Sequence, residues 1–428
     1  MGKLIGIVAD DITGANDIGI MYAKADWQAD VYPYPFSQSK MGTFPPDVLI
    51  IDTNSRLDSY DEAYEKVTSS TEKLKQLGCK QFFNKTCSVF RGNIGAEFDA
   101  MLDVLESEFA VVVLGFPKNG RTTINGQHYV HGRKLADSEF RHDPVHPMKN
   151  SNLVEILQSQ TKRKVAFVEV DIVDQGSEIL KQEIEIMRTK CNYLLIDVRN
   201  QESLKIIASA IKEEKVICGA SGIAEELALV MNQTQKKEQS IKLPKLDTGV
   251  LCAAGSLMPQ TFRQVEEMKN RGLPVFELES RKLFSGQRDA HIEELIKKLV
   301  TTLTKGEDVL VHSSNDTEVV KVTKQVAASL GYSNTEISRV VSESLAIVID
   351  ETVKRTNANR LLIAGGETSA SVCSKLGIEG LRVWKEIEPG LPSCLSLNKP
   401  SMMLVLKSGS FGSPDFFAKA IEHLKENE

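Results

Sequence analysis

The chain has 428 residues, 41% hydrophobic and 26% charged, with a formal net charge of −6. This is longer than one ordinary domain and has the composition of a soluble globular protein with substantial cores. A negative balance without basic blocks argues against nucleic acid, and no apolar run reaches the roughly 18 residues of a membrane span.

The first predicted strand, Leu4 to Ala9, is a short apolar run that meets Asp10, Asp11, Thr13 and Gly14, with a helix expected from Ala15 to Ala25. The two aspartates interrupt the run before a secretory segment is complete. In an open α/β sheet, ligands sit beyond the carboxyl ends of strands, so this strand delivers acids to a site. One of them could cap the helix, but a cap needs no pair.

A second run, Asp47 to Asp52, ends in Thr53, Asn54, Ser55 and Arg56, and a helix is expected over 59–77. Gln81 to Asn84 leads into KTCSVFRGN (85–93), and a helix begins near Gly95. Ala110 to Gly115 is a strand that turns at Phe116-Pro117 into a polar loop with Arg121, Thr122, Thr123 and His128. Further strands are expected at 165–170, 193–197 and 215–218. The stretch 231–247 is polar and broken by Pro244, which suits a linker. Beyond it, 249–254, 308–312 and 360–364 read as strands, and 342–354 and 416–425 as helices. Apolar runs alternating with helices predict α/β architecture: two α/β domains, 1–230 and 248–428, with largely parallel sheets and an active site in the interdomain cleft.

Three glycine-rich turns follow strands in the second half: GSLMPQT (255–261), AGGETSAS (364–371) and LKSGSFGSPDF (406–416). Glycine permits close approach of phosphate to backbone amides, and a helix N-terminus favours the charge. Neither G-x-x-x-x-G-K-[ST] nor G-x-G-x-x-G after a strand occurs, so a P-loop and a dinucleotide fold are disfavoured. In the first half Arg56, Lys85, Ser88, Arg91, Asn93 and Arg121 stand at strand ends. Arginine grips a carboxylate in bidentate fashion while Ser, Asn and Asp read hydroxyls, which suits a small polyhydroxylated acid. His128, His131, His142 and His146 with Asp143 match no known zinc spacing, and Cys87 reads as a buried thiol. Seven scattered cysteines without C-x-x-C suit reduced thiols in a cytoplasm.

These motifs together resemble the four-carbon acid sugar kinases over essentially the whole length. The resemblance rests on ADDITGAND (9–17), TNSR (53–56), KTCSVFRGNIGAEFDAML (85–102), GRTT…G…HYV (120–130), GS…QT (255–261), GGETS (365–369), EIEPGLP (386–392) and LKSGSFG (406–412). It implies a sugar-acid-binding N-terminal domain, a nucleotide-binding C-terminal domain, and ATP-dependent phosphorylation of the terminal 4-hydroxyl of a C4 acid. D-threonate is the first expectation, with D-erythronate, L-threonate and 3-oxo-tetronate as alternatives. By motif, the substrate would meet Asp11, Arg56, Ser88, Val89, Phe90 and Arg91, and ATP would meet Ser256, Gly365, Gly366, Glu367, Thr368 and Gly409. The chain departs from the family pattern at Val89 and Phe90, where Thr and Leu are usual, and at KSGSFG, where KSGNFG is common.

Phosphoryl transfer then predicts that Arg56 and Arg91 with Ser88 hold the carboxylate and that Asp11 or Asp10 accepts the hydroxyl proton. The turns and Lys407 would hold phosphates neutralised by Mg²⁺, whose ligands stay open between Asp10 and Glu367. The partners expected are a small sugar acid and ATP, without nucleic acid or membrane, and a homo-oligomer is compatible with the sequence. A sugar-acid sensor, or a phosphatase or aldolase acting on a phosphorylated C4 acid, are the rival readings.

Overall fold

A computed structural model describes residues 4–41, 46–143, 145–231 and 243–426, and the chain divides into two compact units, Met1–Glu238 and Gln239–Glu428. Most of the predicted linker, residues 232–242, lies outside the described residues.

The first unit carries β1 (Ile5–Ala9), β2 (Ala29–Pro33), β3 (Val48–Asp52), β4 (Gln81–Lys85), β5 (Ala110–Val113), β6 (Arg121–Ile124), β7 (Gln127–Val130), β8 (Arg133–Lys134), β9 (Val165–Val168), β10 (Tyr193–Ile196) and β11 (Val216–Gly219). Eight of these run parallel in the order β2-β3-β1-β4-β11-β5-β10-β9. Strands β1, β3 and β4 are buried throughout, as strands covered on both faces must be. Their register places Ala9 beside both Asp52 and Lys85, so three strand ends deliver polar groups at one level. The first helix, Ile12–Ala23, starts three residues earlier than expected because Asp11 is its N-cap, accepting from Gly14 N at 2.8 Å.

The polar loop expected after β5 is in fact the antiparallel sheet β6-β7-β8. Asn125 and Gly126 turn it with φ of 52° and 70°, the left-handed pair that a two-residue hairpin requires. Their amides are held by the Asp197 carboxylate.

The second unit carries β12 (Leu251–Ala254), β13 (Val275–Leu278), β14 (Val309–Ser313), β15 (Arg360–Ala364), β16 (Leu381–Glu388), β17 (Leu391–Ser396) and β18 (Met403–Lys407). The order is β13-β14-β12-β15-β18-β17-β16, parallel as far as β18 and antiparallel beyond it. EIEPGLP is therefore the turn of a hairpin, with Gly390 at φ 76°. Cys252, Leu362 and Val405 from the central strands pack against Phe416, Phe417 and Ile421 of the last helix. The helix expected from Ser342 begins at Asn334, because Ser333 and Glu336 form a reciprocal capping box.

Each unit holds one of the two tryptophans. Trp27 is buried against Tyr22 and donates to Ala228 O at 3.3 Å, whereas Trp384 lies partly buried beside His423. All seven cysteines are buried and free. Among the described residues no helix is long and apolar enough to cross a membrane.

Candidate active site

In the N-terminal unit, Arg56 reaches back from the turn after β3 to the aspartate pair after β1. Its Nε and Nη2 donate to Asp10 at 2.7 and 2.8 Å, and Nη1 donates to Asp11 Oδ2 at 2.7 Å. Asp11 Oδ2 also accepts from Thr13 at 2.8 Å, while Oδ1 accepts from Gly14 N. A carboxylate oxygen has two acceptor positions, so Oδ2 is filled and Oδ1 keeps one. Burial raises the Asp11 carboxyl, but the Arg56 and Lys85 charges and these hydrogen bonds outweigh it and hold it below the usual range. Asp52, at the end of β3, goes the other way: burial, then the neighbouring Asp11 charge, pushes it up to about 8. Both effects favour its protonated form, which can donate a hydrogen bond. Sequence reasoning passed over it, although it ends a strand as Asp10 follows one.

The turn after β4 brings the predicted 88–91 stretch to the same end of the sheet. Val89 and Phe90 are buried at 0% and 1% exposure, with Phe90 edge-on to Phe98, so their side chains belong to the core and only their backbone can meet a ligand. Ser88 is half-buried. Arg91 lies over Phe140, donates to Cys87 Sγ at 3.3 Å and to Asp143 at 2.7 Å. Burial opposes ionisation of Cys87, but Arg91 and Arg56 bring its thiol below the ordinary value. Asp143 is a partner that sequence did not single out beyond the histidine loop. In that loop His128 bonds Thr123, His131 meets Arg121, and His146 bonds the Arg56 carbonyl. Gly92, at φ 106°, lies under Arg56, and a Cβ there would stand 3.1 Å from Arg56 Cγ.

In the C-terminal unit the three predicted turns converge. A Cβ on Gly409 would fall 2.1 Å from Ser256 Oγ, one on Gly255 would fall 2.1 Å from Thr368 Oγ1, and one on Gly365 would meet Ser256 N and Thr368 Oγ1, each at 3.2 Å. Bare Cα atoms let these turns touch. The helix Gly366–Lys375 starts after Gly365, at φ 121°, and no side chain caps its first amides. Lys407 does not project into the turns as a phosphate-holding cation. Its buried Nζ donates among Thr261 Oγ1, Ser408 O, Gly409 O and Phe411 O at 2.7–3.2 Å and so fastens the third turn. Burial pushes its ammonium down to about 7. Glu388 fastens the same loop through Ser413 N at 2.8 Å.

Among the described residues no group of three or more His, Cys, Asp or Glu side chains could hold a metal ion. Mg²⁺ in nucleotide sites takes one or two carboxylates together with phosphate oxygens, so a full protein cage is not required. Glu367 fits that role: Oε2 accepts from Ser338 at 2.6 Å, while Oε1 is buried without a partner. Both oxygens of Asp10 already accept from Arg56.

Residues 5–227 match the profile of a sugar-binding N-terminal domain, and residues 251–417 that of a nucleotide-binding C-terminal domain. A 3-oxo-tetronate kinase of Pseudomonas fluorescens is 30% identical over 430 residues, covering 98% of this chain and 97% of its own. One from Cupriavidus necator is 31% identical, with the same coverage of both chains. Among solved structures, a Haemophilus influenzae protein aligns at a TM-score of 0.71 and 27% identity over 98% of this chain and 100% of its own. A Salmonella typhimurium protein aligns at 0.80 and 27% over 97% and 98%. Sugar-binding and nucleotide-binding units on one α/β chain define a sugar kinase. The chain belongs to the four-carbon acid sugar kinase family.

Proposed function

We propose that the protein transfers the γ-phosphoryl group of ATP to the 4-hydroxyl of a four-carbon sugar acid in the cytoplasm. The observation that carries this reading is the convergence of Ser256, Gly365, Thr368 and Gly409 on one patch at an uncapped helix start. Such a patch presents amide donors to a compact polyanion, and a sugar-acid sensor has no use for it. The relatives named as 3-oxo-tetronate kinases make 3-oxo-tetronate the first acceptor to test. D-threonate, which the sequence motifs favour, comes second.

In this reading the acid lies at the strand ends of the N-terminal unit. Arg91 and Ser88 meet its carboxylate, although Arg91 must share its guanidinium with Asp143. Arg56 is taken up by Asp10 and Asp11, so its part is to hold those carboxylates in place. Asp11 Oδ1, with one acceptor position left, takes the hydroxyl proton. A carboxylate kept below its usual pKa is a weak base, which suffices because the transition state is loose and the proton leaves late. Ser256, Gly365 to Thr368 and Gly409 hold the nucleotide phosphates. Glu367 would hold Mg²⁺, which would supply charge neutralisation at the phosphates.

The test is ADP release with ATP and Mg²⁺ against 3-oxo-tetronates, D- and L-threonate and D- and L-erythronate. Release with one acid establishes the activity and names the acceptor, whereas turnover of a phosphorylated acid without nucleotide would replace the kinase by a phosphatase or aldolase. Asp11→Asn is expected to lower kcat by about 10²–10⁴-fold, and near-normal kcat would remove Asp11 from the role.

A further inference from the structure

Among the cations at the strand ends of the N-terminal unit, Arg56, Arg91 and Lys85 are not equally engaged. Arg56 and Arg91 each meet a carboxylate at 2.7 Å. Lys85, the last residue of β4 and only 3% exposed, makes one hydrogen bond, from Nζ to Thr86 O at 3.0 Å. Asp17 Oδ2, which accepts from the Ser221 hydroxyl, forms a looser ion pair with Nζ at 3.8 Å, beyond hydrogen-bond range. An ammonium carries three donors, and a buried donor left unmade is costly, so Lys85 is built to receive further acceptors.

Gly14 brings this ammonium and Asp11 to the same place. A Cβ at this position would lie 2.6 Å from Asp11 Oδ1 and 2.9 Å from Lys85 Nζ. The open oxygen of Asp11 and the underused ammonium therefore both stand against one bare Cα, and any side chain there would strike them.

We propose that Lys85 is a catalytic cation, which rests on the kinase reading above. Its Nζ donates to the acceptor hydroxyl oxygen and then to a non-bridging oxygen of the phosphoryl group being transferred. The acceptor O–H bond breaks with its proton passing to Asp11 Oδ1, and the acceptor oxygen forms the new bond to Pγ. The bond from Pγ to the β,γ-bridging oxygen breaks with its electron pair leaving on ADP, while Lys85 keeps its protons throughout. The Lys85 charge is thus spent where negative charge gathers during transfer, not on the carboxylate of the acid.

The experiment compares wild type, Lys85→Met and Lys85→Arg by ADP release and by calorimetric titration of the acid, with melting temperature as the control for folding. Lys85→Met is expected to lose about 10²–10³-fold in kcat while acid Kd stays within about threefold. Lys85→Arg, which keeps the charge but displaces it, is expected to recover part of the loss, and it carries the same kcat-against-Kd comparison if the Met variant does not fold. A kcat within about threefold of wild type, or an acid Kd raised more than about tenfold with kcat kept, overturns the assignment. A wild type that releases ADP with none of the acids overturns the kinase reading and this one together, whereas an active wild type with an unaffected Lys85→Met overturns this one alone.

Discussion

Arg56 in the N-terminal unit and Gly409 in the C-terminal unit occupy comparable places, each just beyond a strand, and they prepare a site in different ways. Arg56 is useful through what it carries: three donors directed at two carboxylates that lie 45 and 46 residues away in sequence. Gly409 is useful through what it lacks, since a single added carbon would strike Ser256. One cluster is assembled from buried charge that must be balanced, the other from backbone that must be bare. A small acid with several hydroxyls has to be read by directional side chains, whereas a row of phosphates needs amides at close range. The two units are therefore expected to fail differently when altered.

The largest expected effect is on the charged cluster. Arg56→Met leaves Asp10 and Asp11 buried without their cation, at a cost of about 3–5 kcal/mol of stability, read by urea denaturation, while the affinity for an ATP analogue in the folded fraction stays unchanged. Loss of ATP affinity without loss of stability would break the comparison. Next is the bare-backbone cluster. Gly365→Ala forces a side chain into φ 121° against Ser256 N, a strain of about 1–3 kcal/mol. It should weaken ATP binding about tenfold or more and leave calorimetric binding of the acid untouched.

The smallest effect, and the one that most sharpens the contrast, is in pH. Asp52 is raised to about 8 by burial and by Asp11, so its stabilising contribution is complete below its ordinary value near 3.8 and is lost as pH rises through 8. Lys407 is lowered to about 7 from 10.5 by burial, so its contribution is complete above 10.5 and is lost as pH falls through 7. Hydrogen-exchange protection, corrected for intrinsic rates, should fall at β3 between pH 5 and 8 and rise at β18 between pH 7 and 9. Asp52→Asn and Lys407→Met should each flatten the slope of its own strand alone; a slope that persists in the variant would assign the titration to another group.

The glycine turns were legible in the sequence because their signal is local: a strand, then glycine, then a helix start. The side-chain cluster was legible only in part. Asp10, Asp11 and Arg56 could be placed at strand ends, yet nothing in sequence says that Arg56 is bound to the aspartates or that Arg91 answers to Asp143, since each pairing spans tens of residues and depends on strand order. Lys407 looked like a phosphate ligand because lysine before a glycine turn often is, and only the structure shows four oxygens around its Nζ. The β6-β7 hairpin did carry one sign, Asn125-Gly126, but its strands RTTI and QHYV show no apolar alternation in sequence, only in burial. The strand β16 was hidden because Arg382, Lys385 and Glu386 interrupt its apolar residues, giving neither a continuous run nor a clean alternation.

Trp27 and Trp384 divide evenly between the units, one enclosed beside Tyr22 and one partly open beside His423. Intrinsic fluorescence of the unlabelled chain is therefore a sum of two reporters, one per unit. Replacing either indole by phenylalanine isolates the emission of the other, and quenching by a small solute in solution should reach Trp384 far more readily than Trp27. The same pair of single-tryptophan variants would show, within one denaturation series and without any added dye, which unit gives way first.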